Sequence, residues 1–225
     1  MSGPARSSVQ LKDTNRLVPS RFPPAGILDV IAAPEDLQAI VELEQWTNDR
    51  ISNELGILQT ISTEEWVLGS PQATVVMAAF CHPKPTGGRF SSSQRGAWYA
   101  GFEIETAHAE VIYHRTKELE EINVFEARVE MRLYLADFDA EFHDIRGPGF
   151  SKYYNPDSYA DSQALSELLL AQRSNGILYR SVRRPAGSCI ACFRPRLVKN
   201  VRPSAHFEYR WAGTKTPSIA QLSAR

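Results

Sequence analysis

A stretch of alternating side chains over residues 122–138 constrains the fold of this chain more than any other feature. Phe125 and Val129 would lie on one side of an extended backbone, and Glu126 and Glu130 would lie on the other. Because successive side chains of a strand point to opposite faces, the pattern predicts a long β-strand with one apolar and one polar face. Such a strand is stable only within a sheet that is covered on its apolar side, so we expect a packed β-sheet.

Shorter signals predict the elements around this strand. Apolar residues recur at helical spacing over residues 105–119 and 162–173, and a third helix is predicted from Pro34 to Gly56. The periodicity of residues 72–80 fits a buried helix and a buried strand equally well. Further short strands are predicted at residues 97–102, 177–179, 188–193 and 206–211. Many strands joined by few helices indicate an α+β domain with a mixed or antiparallel sheet.

The composition indicates a soluble globular protein. Of the 225 residues, 43% are hydrophobic and 23% are charged, which suits one domain with a sizeable core. The longest apolar run, residues 75–81, is too short to cross a bilayer, and residues 1–8 contain no apolar stretch typical of a secretion signal. These features predict a cytoplasmic protein, and a net charge of −1 argues against binding to nucleic acid or to a membrane.

The charges are unevenly distributed along the chain. No acidic residue occurs from 168 to 207, a segment that contains eight basic residues, and the whole chain has 19 arginines against 6 lysines. Guanidinium groups bind phosphate in bidentate fashion, so the segment suits a small phosphorylated ligand. A surface that simply prefers arginine explains the same composition, and the sequence leaves both explanations open.

Motifs of several common enzyme folds are absent. The sequence contains no glycine-rich dinucleotide-binding loop after a strand, no P-loop, no nucleophile elbow and no zincin helix. Their absence argues against a Rossmann dehydrogenase, a P-loop NTPase and an α/β-hydrolase.

One pair of motifs imitates a zinc deaminase. His108 and Glu110, followed by Cys189 and Cys192, match the residue types that bind zinc and move protons in that class. However, no proline precedes Cys189, and residues three apart on a strand point to opposite faces. Small cysteines that pack inside a sheet explain the same residues, so zinc-dependent deamination is kept only as a remote alternative.

A second series of motifs spans more than a hundred residues. It consists of Gly87-Gly88-Arg89-Phe90-Ser91, Trp98-Tyr99-Ala100, Thr106-Ala107-His108-Ala109-Glu110, Asn175-Gly176-Ile177-Leu178-Tyr179-Arg180-Ser181 and Cys189-Ile190-Ala191-Cys192-Phe193-Arg194-Pro195. In this order the series resembles the RES-domain family, named for its Arg, Glu and Ser. The similarity covers about residues 85–198, and residues 16–80 resemble the leader of the longer members. Phe90 stands where the family usually has Trp, a replacement that should preserve packing.

The resemblance implies a fold like that of ADP-ribosyltransferases and a toxin that consumes NAD as substrate, with no metal expected. The implied partner is an antitoxin with an Xre-like helix-turn-helix part. The acceptor of ADP-ribose is left open, so a mono-ADP-ribosyltransferase that modifies a protein is the main alternative. A catalytically silent domain that binds only an antitoxin or a nucleotide is another. We expect an N-terminal extension with helical segments at residues 1–82, a catalytic domain at 83–212 and a tail at 213–225.

The family residues are carried over position by position. The family arginine corresponds to Arg89, the pocket tyrosine to Tyr99 and the serine to Ser181. An arginine on a glycine loop suits a pyrophosphate, and a carboxylate suits the positive charge that develops at the ribose carbon. Two glutamates match the family glutamate, Glu130 on the polar strand face and Glu110 on the predicted helix. We predict that Glu130 is catalytic with Arg89 and Ser181. The predicted substrate-binding residues are Arg89, Tyr99, Ser91 and Glu110.

Overall fold

The structure is a computed structural model, and it describes residues 3–22, 26–30, 33 and 61–223. Within these residues the chain forms a seven-stranded sheet and three α-helices, which confirms the predicted α+β class with a mixed sheet. The helix predicted from Pro34 to Gly56 lies outside the described residues. No helix in the described part of the chain is both long enough and apolar enough to cross a membrane.

Seven strands and three helices follow one another along the described chain. The strands are β1 (Arg6–Pro19), β2 (Trp98–Gly101), β3 (Glu126–Asp144), β4 (Gly176–Arg180), β5 (Ser188–Cys192), β6 (Lys199–Ala212) and β7 (Ser218–Leu222). The helices are α1 (Ala73–Cys81), α2 (Ile104–Ile122) and α3 (Ala160–Ala171). The segment 72–80, for which helix and strand were both open, is therefore helical.

Strand β3 organises the sheet because it pairs along both edges. One edge pairs with β1, and the opposite edge pairs first with β6 and then, at His143 and Asp144, with β4. The β6 pairing ends at Asp137. Strands β6 and β4 therefore pair with successive parts of the same edge of β3. The complete order is β1-β2-β5-β4-β3-β6-β7, with β1 also paired to β3, and among these pairings only β3–β4 is parallel.

The alternation predicted for β3 is confirmed in its first half. Met131 and Leu133 are buried, whereas Glu126, Arg128 and Glu130 are exposed. The buried residues belong to a core cluster that also contains Trp211 of β6 and is covered by apolar residues of α2. A separate cluster between α3 and the β4–β5 pair contains the loop residue Phe90. The two helices thus flank the region in which the loop around residue 89 lies.

The two ends of the chain also take part in the sheet. Residues 1–82 were expected as an N-terminal extension, and within them residues 6–19 form β1, which pairs with β3 from Pro19↔Met131 to Arg6↔His143. The region expected as a tail, residues 213–225, contains β7, which pairs with β6. Strand pairing therefore joins parts of the predicted extension and tail to the sheet of the predicted catalytic domain.

Candidate active site

The segment 82–96 forms an irregular loop, as its prolines and glycines predicted, and Arg89 lies within it. The Gly88 amide donates to both the hydroxyl and the carbonyl of Ser91, at 3.1 and 3.0 Å, and so closes a tight turn around Arg89. Gly87 has a φ of +71°, and a Cβ there would come within 2.3 Å of the Ser91 carbonyl oxygen. Only glycine fits this position without strain.

Helix α3 holds the same loop through the side chain of Gln163. Its Nε2 donates to the carbonyl oxygens of Thr86 at 2.9 Å and Gly88 at 3.0 Å, with a longer contact of 3.4 Å to Ser91. The amide of one glutamine therefore satisfies several carbonyls of the loop that carries Arg89. The sequence reasoning missed Gln163, because a glutamine on a helix is usually a solvated surface residue.

Tyr99 reaches the loop from β2. Its hydroxyl accepts a hydrogen bond from the Phe90 amide at 2.9 Å and donates one to the Ser91 hydroxyl at 3.0 Å. Burial raises the pKa of Tyr99 to about 12, so the hydroxyl stays protonated at neutral pH and remains a donor. A Cβ at Gly88 would lie 2.8 Å from the Tyr99 hydroxyl, which explains the second glycine of the loop.

Arg89 is 8% exposed, and its guanidinium contacts the segment 153–159. Its Nη1 donates to the carbonyl oxygens of Tyr153 at 3.2 Å and Asn155 at 2.9 Å, and its Cζ lies 4.6 Å from the ring centroid of Tyr159. Among the described residues no carboxylate lies at ion-pair distance from it, and Nε and Nη2 have no protein acceptor. The guanidinium therefore keeps hydrogen-bond donors without an acceptor among the described residues, an arrangement suited to an anionic ligand.

Glu110 and Ser181 meet beside this arginine. The Ser181 hydroxyl donates to Glu110 Oε1 at 2.8 Å and accepts the amides of Arg183 and Arg184, both at 3.1 Å. These contacts fix one carboxylate oxygen, and Oε2 has no partner among the described residues. Burial raises the pKa of Glu110, while the hydrogen bond from Ser181 and the nearby charges of Arg183 and Arg89 oppose that shift.

Glu130 has different surroundings. It lies on the exposed face of β3, where its Oε1 accepts from Arg128 at 3.1 Å, and its side chain is 45% exposed. Its partner across the strand pair is Glu208 of β6. The structure thus brings Arg89, Ser91, Tyr99, Glu110 and Ser181 into one cluster and leaves Glu130 outside it. The reason is topological, because β4, which precedes Ser181, meets β3 only at the far end of that strand.

The residues of the deaminase-like motif are not arranged as a zinc site. Cys189 packs with Phe90 in one core cluster and Cys192 in another, so the two thiols point to opposite faces of β5 as predicted. His108 is hydrogen-bonded through Nδ1 to the Tyr209 hydroxyl. Burial raises the pKa of Cys192 to about 12 and that of Cys189 as well, which disfavours the thiolate that zinc requires.

Comparison with known proteins assigns the family. The model of the RES domain matches residues 57–212, which is more than half of the chain. The chain belongs to the RES-domain family. The RES match includes both Glu110 and Glu130, so it does not choose between them, and the choice depends on the geometry of the cluster.

Similarity to known proteins extends over most of this RES protein. The uncharacterized protein y4oC of Sinorhizobium fredii is 27% identical over 212 residues, which cover 92% of this chain and 86% of that protein. The crystal structure of the M. tuberculosis MbcT–MbcA toxin–antitoxin complex is similar with a TM-score of 0.45 and 12% identity, over 89% of this chain and 86% of that chain.

Proposed function

We propose that this RES protein is the toxin of a toxin–antitoxin pair and consumes NAD by cleaving the bond between nicotinamide and ribose. The observation that supports this most strongly is the Glu110 carboxylate, held at 2.8 Å by Ser181 beside the buried guanidinium of Arg89. A fixed carboxylate and an unpaired arginine are the two groups that the reaction requires, one for the ribose carbon and one for the pyrophosphate.

In the proposed reaction the C–N bond to the ribose carbon breaks, and nicotinamide leaves as a neutral base with the bonding electron pair. Positive charge develops on the ribose, as it does in glycoside hydrolysis. Glu110 Oε2, which has no protein partner among the described residues, would stabilise that charge or bind a ribose hydroxyl. The oxygen of an acceptor then bonds to the carbon and releases a proton. We therefore assign to Glu110 the role that the sequence reasoning assigned to Glu130.

The other residues of the cluster have supporting roles in this proposal. Arg89 would bind the pyrophosphate through Nε and Nη2, the donors that have no protein acceptor in the described part of the chain. Tyr99 and Ser91 would keep the loop in shape through their mutual hydrogen bond of 3.0 Å. Ser181 would orient Glu110, since its hydroxyl accepts two amides and has a single proton to donate to the carboxylate.

The same geometry serves a mono-ADP-ribosyltransferase that modifies a protein, because the bond that breaks is identical and only the acceptor differs. An antitoxin with a helix-turn-helix part is the partner proposed for the toxin. Its blocking segment would present an acidic group or a chain terminus to Arg183 and Arg184, which lie next to Ser181 in the chain.

The test has an enzymatic and a cellular part. Purified protein is incubated with isotope-labelled NAD, with and without phosphate and cell extract, and nicotinamide and the ADP-ribose products are identified by mass spectrometry. We expect nicotinamide release, and the labelled product identifies the acceptor as water, phosphate or protein. In bacteria, expression of the chain alone should arrest growth and lower NAD. Unchanged growth and NAD in cells that contain the soluble protein would refute the proposal.

A further inference from the structure

Two arginines converge on consecutive carbonyl groups of the same loop. Arg89 Nη1 donates to the Asn155 carbonyl at 2.9 Å, and Arg183 Nη2 donates to the Pro156 carbonyl at 2.8 Å. Consecutive residues of a chain are only ~3.8 Å apart between their Cα atoms, so the two guanidinium groups contact the same dipeptide. They come from distant parts of the sequence, one from the glycine loop and one from the loop after β4.

Arg183 is held in this position by contacts on several sides. Its Cζ lies 3.3 Å from the centroid of the Tyr113 ring, and the Tyr113 hydroxyl donates to the same Pro156 carbonyl at 3.4 Å. Its amide donates to the hydroxyl of Ser181, which in turn donates to Glu110. Arg183 is thus fixed relative to the proposed catalytic carboxylate by a chain of hydrogen bonds.

The charge of Arg183 has no matching carboxylate in the part of the chain that the structure describes. Among the described residues neither Arg183 nor Arg89 forms an ion pair, whereas the adjacent Arg184 pairs with Glu103 at 3.3 Å. Both arginines favour the ionised form of Glu110 through their charge, without direct contact. A neutral carbonyl accepts a hydrogen bond but leaves the charge of the guanidinium uncompensated, whereas a phosphate oxygen accepts the bond and also neutralises the charge.

We propose that Arg183 is a second phosphate-binding residue and that Arg89 and Arg183 together bind the two phosphates of a nucleoside diphosphate group. Arg89 offers Nε and Nη2, which have no acceptor among the described residues, whereas the Pro156 carbonyl occupies Arg183 Nη2 in the free protein and is displaced by a phosphate oxygen. This inference rests on the proposed function and extends it. It makes the site selective for a dinucleotide or a nucleoside diphosphate over a mononucleotide, which offers only one phosphate.

The test compares the binding of ADP and AMP by isothermal titration calorimetry, which needs no catalysis. Wild-type protein should bind ADP more tightly than AMP. Arg183→Gln should weaken ADP binding on the order of tenfold and AMP binding much less, because a charge-assisted contact to the second phosphate is lost. The matched control is Arg128→Gln, which removes an exposed arginine that is paired with Glu130 outside the cluster and should leave the ADP affinity within about twofold.

Each outcome separates the hypotheses. The proposal is refuted if Arg183→Gln binds ADP like the wild type, if it loses ADP and AMP affinity equally while its melting temperature is unchanged, or if the wild type binds neither nucleotide. If Arg183→Gln has a lower melting temperature than the wild type, Arg183→Lys is tested instead, because it keeps the charge and loses the planar fork. The proposed function would be refuted if the wild-type protein released no nicotinamide from NAD. If that protein still bound ADP through Arg183, the phosphate-binding site would be retained.

Discussion

The hydroxyl of Ser181 donates a 2.8 Å hydrogen bond to Oε1 of Glu110, although the two residues are 71 positions apart in the sequence. The contact joins helix α2 to the loop after β4 and orients a carboxylate whose second oxygen faces no protein group among the described residues. It decides which of the two candidate glutamates has the surroundings that the proposed chemistry needs.

We expect Glu110→Gln to reduce nicotinamide release from NAD on the order of 10²–10³-fold, because it removes the charge that stabilises the ribose cation and preserves the side-chain shape. Glu130→Gln is the matched control, since that glutamate is exposed and paired with Arg128. It should retain nearly full activity, as expected for a surface ion pair. Turnover and melting temperature of both variants decide the assignment, and an inactive, stable Glu130→Gln beside an active Glu110→Gln would reverse it.

Ser181→Ala should move the acid limb of the pH–rate profile to higher pH. Burial already raises the pKa of Glu110, and the hydrogen bond from Ser181 lowers it. Removal of that bond therefore raises the pKa further, so a higher pH is needed to ionise the carboxylate. The measurement is kcat for nicotinamide release across pH. Ser181→Thr retains a hydroxyl and should restore much of the profile, whereas an unchanged acid limb in Ser181→Ala would contradict this role.

Arg89→Lys should be nearly as inactive as Arg89→Ala. Lysine keeps the positive charge but lacks the planar fork that binds a carbonyl pair or a phosphate with parallel hydrogen bonds. The KM for NAD and kcat of both variants provide the measurement. A lysine variant with most of the wild-type rate would show that charge alone is sufficient.

Gln163→Glu should distort the Arg89 loop. The substitution conserves shape but replaces an amide donor by a carboxylate that faces the carbonyl oxygens of Thr86 and Gly88, at 2.9 and 3.0 Å in the present structure. Loss of these bonds should cost about 1–3 kcal/mol of unfolding free energy. It should also raise the KM for NAD. Gln221→Glu, on the exposed strand β7, is the control and should change neither value. Equal effects of the two variants would count against the role of Gln163.

Several strands, helices and loops could be predicted from local sequence, because the patterns that indicate them repeat within a few residues. The alternation from Phe125 onward predicted β3, and the helical spacing after Glu105 predicted α2. The prolines and glycines of residues 82–96 placed Arg89 on a loop, and the φ of +71° at Gly87 shows why such residues occur there. These features depend on steric and periodic rules that act on neighbours in the chain.

Contacts between distant segments were decided only by the tertiary structure. Strand β1 has weak local periodicity and becomes a strand because it pairs with β3 more than a hundred residues later. The same pairing pattern brings β4 and the loop after it towards α2, so that Ser181 meets Glu110 and Arg183 meets the loop that also binds Arg89.

The sequence by itself thus determined the α+β class, the glycine loop and the residue types of the cluster, because local propensity and periodicity are properties of short segments. Which of Glu110 and Glu130 lies next to Ser181, and which groups Gln163 and Arg183 contact, was set by the packing of the sheet and helices. The sequence offered a glutamate on a helix and one on a strand face and favoured the latter, and only strand pairing sets which of them lies next to Ser181. That choice has a physical origin in non-local hydrogen bonds and burial, which no short stretch of sequence specifies.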